Sequence, residues 1–92
     1  MSTIVAHQYA YVIGVDTHAA THTFAVVTNS GVHVDTQTFP TTKPGLRRAL
    51  SWAERRTDGD LDSLWVIEGL GSYGAELAKA VDTAGYEVVE AA

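Results

Sequence analysis

Two carboxylates stand out because each follows a short apolar segment that reads as the interior of a sheet. Asp16 follows residues 11–15, and Glu68 follows residues 64–67. Apolar, β-branched segments of this length are typical of buried strands, where an acid is rare unless a partner neutralises it. Asp16 and Glu68 are therefore the first candidates for chemistry.

The two acids could act together if their strands were parallel neighbours. The backbones would then lie about 4.8 Å apart, and both acids would reach the end of the sheet where open α/β sheets bind ligands. Two carboxylates this close repel unless a proton or a cation lies between them, and Mg²⁺ is held through one or two carboxylates with water and substrate phosphate. Three interpretations remain open: a divalent metal site, a shared proton, or a structural role in which Asp16 ends its strand as a turn residue and Glu68 pairs with a Lys or Arg.

Other polar residues follow the acids closely in the chain. His18 lies two residues after Asp16 and is the histidine best placed to support the acid pair, whereas His22 and His33 are expected at surface or hydrogen-bonding positions. Ser72 lies in a glycine-rich segment just after the second acid. It is predicted either to help bind a phosphate at a helix N-terminus or simply to cap that helix.

Seven segments would position these residues. Apolar or alternating patterns predict strands at residues 11–16, 23–28, 32–39, 64–68 and 86–89. Helical periodicity predicts one helix capped by Thr41 or Thr42 and a second at residues 73–84. The order is β-β-β-α-β-α-β. The two helical crossovers should be right-handed and should place strands four and five parallel to strand one. The sequence predicts an α/β domain with a mixed five-stranded sheet.

Composition excludes several classes of protein. The 92 residues allow one domain, and the absence of cysteine excludes a disulfide framework, a zinc finger and a thiol nucleophile. No segment approaches the roughly 18 apolar residues of a membrane span, and the start of the chain lacks the features of a signal peptide. These observations predict a soluble, cytoplasmic protein without a membrane partner.

The charge distribution gives no general signature of a nucleic-acid-binding protein. The net charge is −5, and the local concentration of positive charge consists of four arginines at positions 47, 48, 55 and 56. Such a cluster could contact a phosphate backbone. The interpretation favoured by the sequence is a solvated helix surface offset by Glu54, Asp58 and Asp60.

Two motifs resemble those of a known family. Residues 12–18 read VIGVDTH and are followed by THT at residues 21–23, and residues 67–78 read IEGLGSYGAELA. Both motifs, in this order and on these strands, resemble DEDD transposases of the insertion sequence 110 type. The resemblance implies a RuvC-like domain with the ribonuclease H-like fold. It departs from the family at Ala19, where many members carry a lysine, which weakens the expectation of a phosphate contact there.

The resemblance also implies residue roles. Asp16 and Glu68 would be catalytic residues and metal ligands, the first two of four acids in a Mg²⁺ or Mn²⁺ site that cleaves and joins DNA strands during transposition. His18 and Ser72 would support the site or contact phosphate. The implied partners are DNA and a guide RNA encoded by the element.

The same resemblance predicts how the chain is organised. Residues 1–10 would be an N-terminal extension, and residues 11–92 the N-terminal part of the nuclease domain, incomplete at its C-terminus. The final helix, the last two acids and a C-terminal domain with a catalytic serine would lie beyond the fifth strand. We therefore expect the 92-residue chain to cleave DNA very weakly or not at all by itself.

Two other functions remain open. An actin-like or sugar-kinase-like ATPase fragment would begin with a similar strand, acid and hairpin, but residues 17–21 contain no glycine where such a hairpin would cradle phosphate. A non-catalytic remnant could act by self-association. An incomplete domain would leave one sheet face uncovered, and because exposed apolar surface promotes association, we expect a homo-oligomer.

Overall fold

The computed structural model describes residues 9–91, so most of the predicted extension at residues 1–10 lies outside the described residues. The elements are β1 (Tyr11–Thr17), β2 (Thr21–Thr28), β3 (His33–Pro40), α1 (Lys43–Arg56), β4 (Ser63–Ile67), α2 (Ala75–Thr83) and β5 (Glu87–Glu90). The order β-β-β-α-β-α-β predicted from the sequence is confirmed. Within residues 9–91, no helix is long and apolar enough to span a membrane.

The five strands form one mixed sheet in the order β3-β2-β1-β4-β5. The first three strands form an antiparallel ribbon, whereas β4 and β5 continue the sheet in parallel with β1. In the central parallel pair, Val12 lies opposite Leu64 and Gly14 lies opposite Val66. This register brings the C-terminal ends of β1 and β4 together, as the predicted topology requires.

The core lies between one face of the sheet and both helices. Its central residues are Phe24 and Trp65, both fully buried, with ring centroids 6.2 Å apart in an edge-to-face arrangement. Helix α1 contributes Trp52, whose ring centroid lies 6.4 Å from that of Phe24. Aromatic pairs of this geometry contribute about 0.5–1.5 kcal/mol beyond the burial of their surface. The aromatic cluster therefore fixes α1 on the sheet.

The opposite face of the sheet is only partly buried. Side chains alternate along each strand, so Val12, Gly14 and Asp16 share this face of β1 with Ala25 of β2 and Val66 of β4. In the part of the chain that the structure describes, both helices pack on the other face. The prediction that β1 is buried on both sides is therefore wrong for residues 9–91, and this open face surrounds Asp16.

Strand β3 is an edge strand in which the apolar residue is exposed and an acid is partly buried. The side chain of Val34 is 39% exposed. Asp35 is half-buried instead, because Arg56 of α1 donates a hydrogen bond from Nε to its Oδ2 at 2.7 Å. A register shift between Val26 and Val27 of β2 accompanies this change.

Helix α2 begins later than its apolar pattern suggested. It starts at Ala75 after the N-cap Gly74, and Tyr73 lies in the preceding turn with 58% of its surface exposed. The prediction that Tyr73 belongs to the apolar stripe of the helix is wrong. The chain must bend sharply after Glu68, and this turn includes Tyr73. The helix therefore begins after the turn, although the apolar periodicity extends back to Tyr73.

Candidate carboxylate site

Asp16 and Glu68 lie side by side at the C-terminal ends of β1 and β4. The backbone N–H of Glu68 donates to the carbonyl of Val15 at 3.4 Å, which extends the parallel pairing by one residue. The hydroxyl of Thr17 then donates to the carbonyl of Glu68 at 3.1 Å. These bonds fix the backbones that carry both acids, and the side chains face the solvent on the open face.

The two carboxyl groups are close enough to share a hydrogen bond, and they shift each other's pKa in opposite directions. The hydrogen bond with Glu68, followed by that with His18, holds the pKa of Asp16 below its usual value of 3.8. The hydrogen bond with Asp16 and the repulsion from its charge raise the pKa of Glu68 above 4.5. The pair therefore favours holding one positive charge, either a proton or a cation, between its oxygens.

His18 contacts the acid pair from the β1–β2 connection. Its Nε2 lies 3.4 Å from Oδ2 of Asp16, and both side chains are about two-thirds exposed, at 65% and 64%. Its backbone N–H donates to the carbonyl of Thr21 at 3.1 Å, which closes the connection as a tight turn. His18 is thus held beside Asp16 in a position to contribute positive charge when protonated.

Ser72 does not cap helix α2. Its hydroxyl donates to the carbonyl of Gly69 at 3.4 Å, and the N-cap residue of the helix is Gly74, which makes no side-chain capping bond. The capping interpretation of Ser72 is therefore wrong. Its hydroxyl lies instead within the turn after Glu68, where it stabilises that turn.

The turn that follows Glu68 depends on two glycines. Gly69 has a φ of +63°, a left-handed conformation that favours glycine. At Gly74 an added Cβ would overlap the carbonyl oxygen of Glu68 and lie 2.9 Å from Cγ2 of Ile67. The N-terminus of α2 therefore packs directly against the end of β4, and this close approach sets the direction in which Glu68 leaves the sheet.

The structure adds to the sequence reasoning at two residues near the site. Of the two positions expected for His22, the hydrogen-bonding one is confirmed, since its Nδ1 accepts the backbone N–H of His18 at 3.3 Å, whereas the surface one is wrong because His22 is fully buried. Strand periodicity contained the signal, because His22 precedes the buried Phe24 by two positions. Glu90 of β5 is a second example, since its Oε2 accepts the N–H of Leu70 at 3.1 Å. No local sequence pattern indicates this contact.

The donor set suits a hard divalent cation held loosely. Asp16 and Glu68 supply exposed carboxylate oxygens, the donors that Mg²⁺ and Mn²⁺ prefer. They border a shallow cavity of about 460 Å³ on the open face, which Gly14, Thr23 and Ala25 also line. Within residues 9–91, no group of three or more His, Asp or Glu side chains converges as a metal site. The described residues therefore offer two ligands, and water or substrate oxygens would complete the shell.

Comparison with known families identifies the chain. The family model of the DEDD transposases of the insertion sequence 110 type, described as "Transposase", matches residues 13–91. The chain belongs to this transposase family. The match covers all of the second motif, all but the first residue of the first motif, and the strand ends that carry Asp16 and Glu68. Among curated proteins, none matches the chain.

The fold of this transposase-family chain has a counterpart among solved structures. The chain is similar to a Bacteroides thetaiotaomicron protein with an actin-like ATPase fold and unknown function, at a TM-score of 0.70 and 10% identity. The likeness covers 98% of this chain but only 36% of the other, so this chain spans about a third of that protein. Identity this low shows the fold alone. It supports the α/β class and transfers no activity.

Proposed function

We propose that Asp16 and Glu68 are catalytic residues and metal ligands of a site that cleaves and joins DNA strands during insertion-sequence transposition. Membership of the transposase family implies an interaction with DNA. The observation that supports the residue assignment is the contact between the two acids at the end of a parallel strand pair, with their pKa values shifted in opposite directions. The structural alternative for Glu68 was a pair with a Lys or Arg, and within residues 9–91 Glu68 forms no such ion pair.

In this proposal the chain's own residues hold and orient the site. Asp16 and Glu68 would hold a Mg²⁺ or Mn²⁺ ion, which when bound would stabilise negative charge on the attacking and leaving oxygens of a phosphodiester. Thr17 fixes the backbone of Glu68, and hydrogen bonds with Glu68 and then with His18 lower the pKa of Asp16, which favours its ionised form. Ser72 stabilises the turn after Glu68 and would contact a phosphate of the bound strand from there.

The proposal extends to the organisation of the chain. Residues 11–92 would form part of a ribonuclease H-like nuclease domain preceded by an extension at residues 1–10, and the family's DNA and guide RNA would be its partners. A pair of metal ions that clamps both reacting oxygens needs more ligands than the two converging carboxylates supply. We therefore expect little or no strand cleavage by this chain alone. Metal-dependent cleavage by the purified chain would contradict that expectation.

Metal titration tests the central assignment. Mn²⁺ should broaden the NMR signals of residues at the ends of β1 and β4, and Asp16→Asn should weaken this binding by about ten-fold, since one of two carboxylate ligands is lost. Asp82→Asn is the matched control, because Asp82 is an exposed acid on α2. Equal Mn²⁺ affinity in Asp16→Asn and Asp82→Asn would refute the site.

We also propose that the chain self-associates through its open face. Ala25 and Val66 are only half-buried there, and Val89 of β5 is 38% exposed. Apolar surface of this kind favours association. Light scattering should report a dimer or larger species that Val89→Lys dissociates, and a monomeric wild-type chain would overturn this part of the proposal.

A further inference from the structure

The positive charge of the chain is concentrated on one helix. Of the six Lys and Arg residues, five lie in α1 and only Lys79 lies elsewhere, on α2. The whole chain carries a net charge of −5, so this concentration opposes the overall balance. A local excess of positive charge on a protein of negative net charge creates a positive electrostatic potential that is limited to that surface.

One of the four arginines of α1 has a structural role. Arg56 donates to Asp35 at 2.7 Å, and its guanidinium lies 5.7 Å from the centroid of the Trp52 ring. These contacts join the end of α1 to strand β3. They give the charge of Arg56 an acidic partner and explain its partial burial. For Arg56 the ion-pair partner is therefore an acid on β3 and not one of the acids near the end of α1.

The other three arginines have no such partner. Arg47, Arg48 and Arg55 are exposed, and within residues 9–91 the ion pairs are His18 with Asp16 and Arg56 with Asp35. Residues 1–8 read MSTIVAHQ and contain no acidic side chain that could neutralise them. Folding therefore leaves three guanidinium groups available for an anion.

These three arginines surround a concave surface. Together with Pro44 and Ser51 of α1, and with Phe39 of β3, they line an open cavity of about 670 Å³. We call this set the arginine surface. Arg48, Ser51 and Arg55 are spaced by three and four positions, which places them on one side of the helix. Three like charges around a concavity repel one another, and a bound polyanion would relieve that repulsion.

We propose that the arginine surface binds the phosphodiester backbone of a nucleic acid strand. Guanidinium groups bind phosphate oxygens through paired, charge-assisted hydrogen bonds, and the Ser51 hydroxyl is a further donor. The half-buried ring of Phe39 in the same cavity offers an apolar surface for a sugar or a base. This binding goes beyond the proposed catalytic role and uses none of its residues.

The arginine surface lies at the same end of the sheet as the acid pair but on the opposite face. Phe39 pairs with His22, which pairs with Thr17, next to Asp16. Two strand spacings, about 10 Å, separate β3 from β1 at this end. The hydroxyl of Thr41 also donates to the carbonyl of His18 at 3.3 Å, which ties the start of α1 to the connection after Asp16. A strand held by α1 would therefore pass close to the edge that carries the acids.

Fluorescence anisotropy with labelled strands of about 20 nucleotides, longer than typical site sizes of about 4–16 nucleotides, tests the proposal without metal. The triple variant Arg47→Gln/Arg48→Gln/Arg55→Gln should lose about ten-fold or more in affinity at low salt, and the slope of log affinity against log salt should fall by about 2 for three single-strand contacts. Lys79→Gln, a charge change on the other helix, is the control and should alter affinity by less than about two-fold. Measuring the affinity for single-stranded DNA, single-stranded RNA and duplex DNA shows which kind of nucleic acid the arginine surface binds.

Several results would overturn the proposal. Unchanged affinity in the triple variant would exclude the arginine surface as the binding site. An equal loss of affinity in Lys79→Gln would show that binding depends on net charge and not on this surface. Equally tight binding of polyglutamate would exclude a phosphodiester ligand. Circular dichroism verifies that the triple variant is folded, and Arg55→Gln alone provides a milder variant. Mn²⁺ binding at Asp16 should persist in the triple variant, so the failure of this proposal is distinguishable from failure of the catalytic one.

Discussion

The turn after Glu68 makes a sharp prediction about Gly74. An alanine there would place Cβ in overlap with the carbonyl oxygen of Glu68, 2.9 Å from Cγ2 of Ile67 and 3.1 Å from the carbonyl oxygen of Gly69. Two of these three neighbours are backbone atoms, which cannot rotate away. The substitution must therefore move the start of α2, the turn or the end of β4.

The magnitude follows from two opposing effects. The backbone of Gly74, with φ −88° and ψ −4°, is one that alanine adopts readily, so the loss of freedom in the unfolded chain would stabilise the fold by about 0.4–1 kcal/mol. Overpacking costs about 1–3 kcal/mol, and rigid backbone neighbours favour the upper part of that range. We expect a net loss of about 2 kcal/mol, which for a domain of this size lowers Tm by about 8–16 °C.

Thermal unfolding followed by circular dichroism measures this loss, with Gly71→Ala as the matched control. Gly71 lies in the same turn, its φ is not positive, and an added Cβ would meet nothing within 4 Å. Gly71→Ala should therefore keep or slightly raise Tm. If Gly74→Ala melted at the same temperature as Gly71→Ala, the close approach of α2 to β4 would not exist as described.

Two further predictions concern pH. Because Asp16 raises the pKa of Glu68, the folded chain favours protonated Glu68, and its stability decreases as pH rises through that raised value. Glu68→Gln should therefore increase the free energy of unfolding in urea at about pH 7 but not at about pH 4, and a destabilised variant at neutral pH would contradict the repulsion. Burial lowers the pKa of His22 below 6.5. As pH falls, His22 therefore becomes protonated in the unfolded chain before it does in the folded chain. Stability should then decline by up to about 1.4 kcal/mol per pH unit below that value, and an NMR titration that places the His22 pKa above 6.5 would exclude this cause.

The sequence was sufficient for the parts of the fold that depend on apolar periodicity. Strands β1 and β4 and the parallel crossovers follow from local pattern and from the handedness of connections, and the family motifs lie on those strands. Residues whose environment is set by distant segments were less predictable. Asp35 faces inward because Arg56 reaches it from α1, and no local pattern in β3 contains that information.

The candidate site divides in the same way. The position of Asp16 and Glu68 at strand ends is visible in the chain, whereas the contact between them depends on the register of two strands that are distant in sequence. Ser72 shows the limit most clearly. A serine before a helix is normally a cap, but the helix begins two residues later than its apolar pattern suggests, because Gly74 packs on β4.

The parallel pairing of β1 and β4 also determines when the acid pair can exist. Thr17 and Glu68, which are joined by a hydrogen bond, are separated by 51 positions in the chain. Closing so long a loop is slow compared with forming the β1–β2–β3 ribbon, whose contacts are local. A chain that has folded only this ribbon has Asp16 in place but no second carboxylate beside it. In the proposed site, cation binding would therefore begin only after β4 has paired with β1, and a chain without that pairing would bind the ion no better than a single carboxylate does.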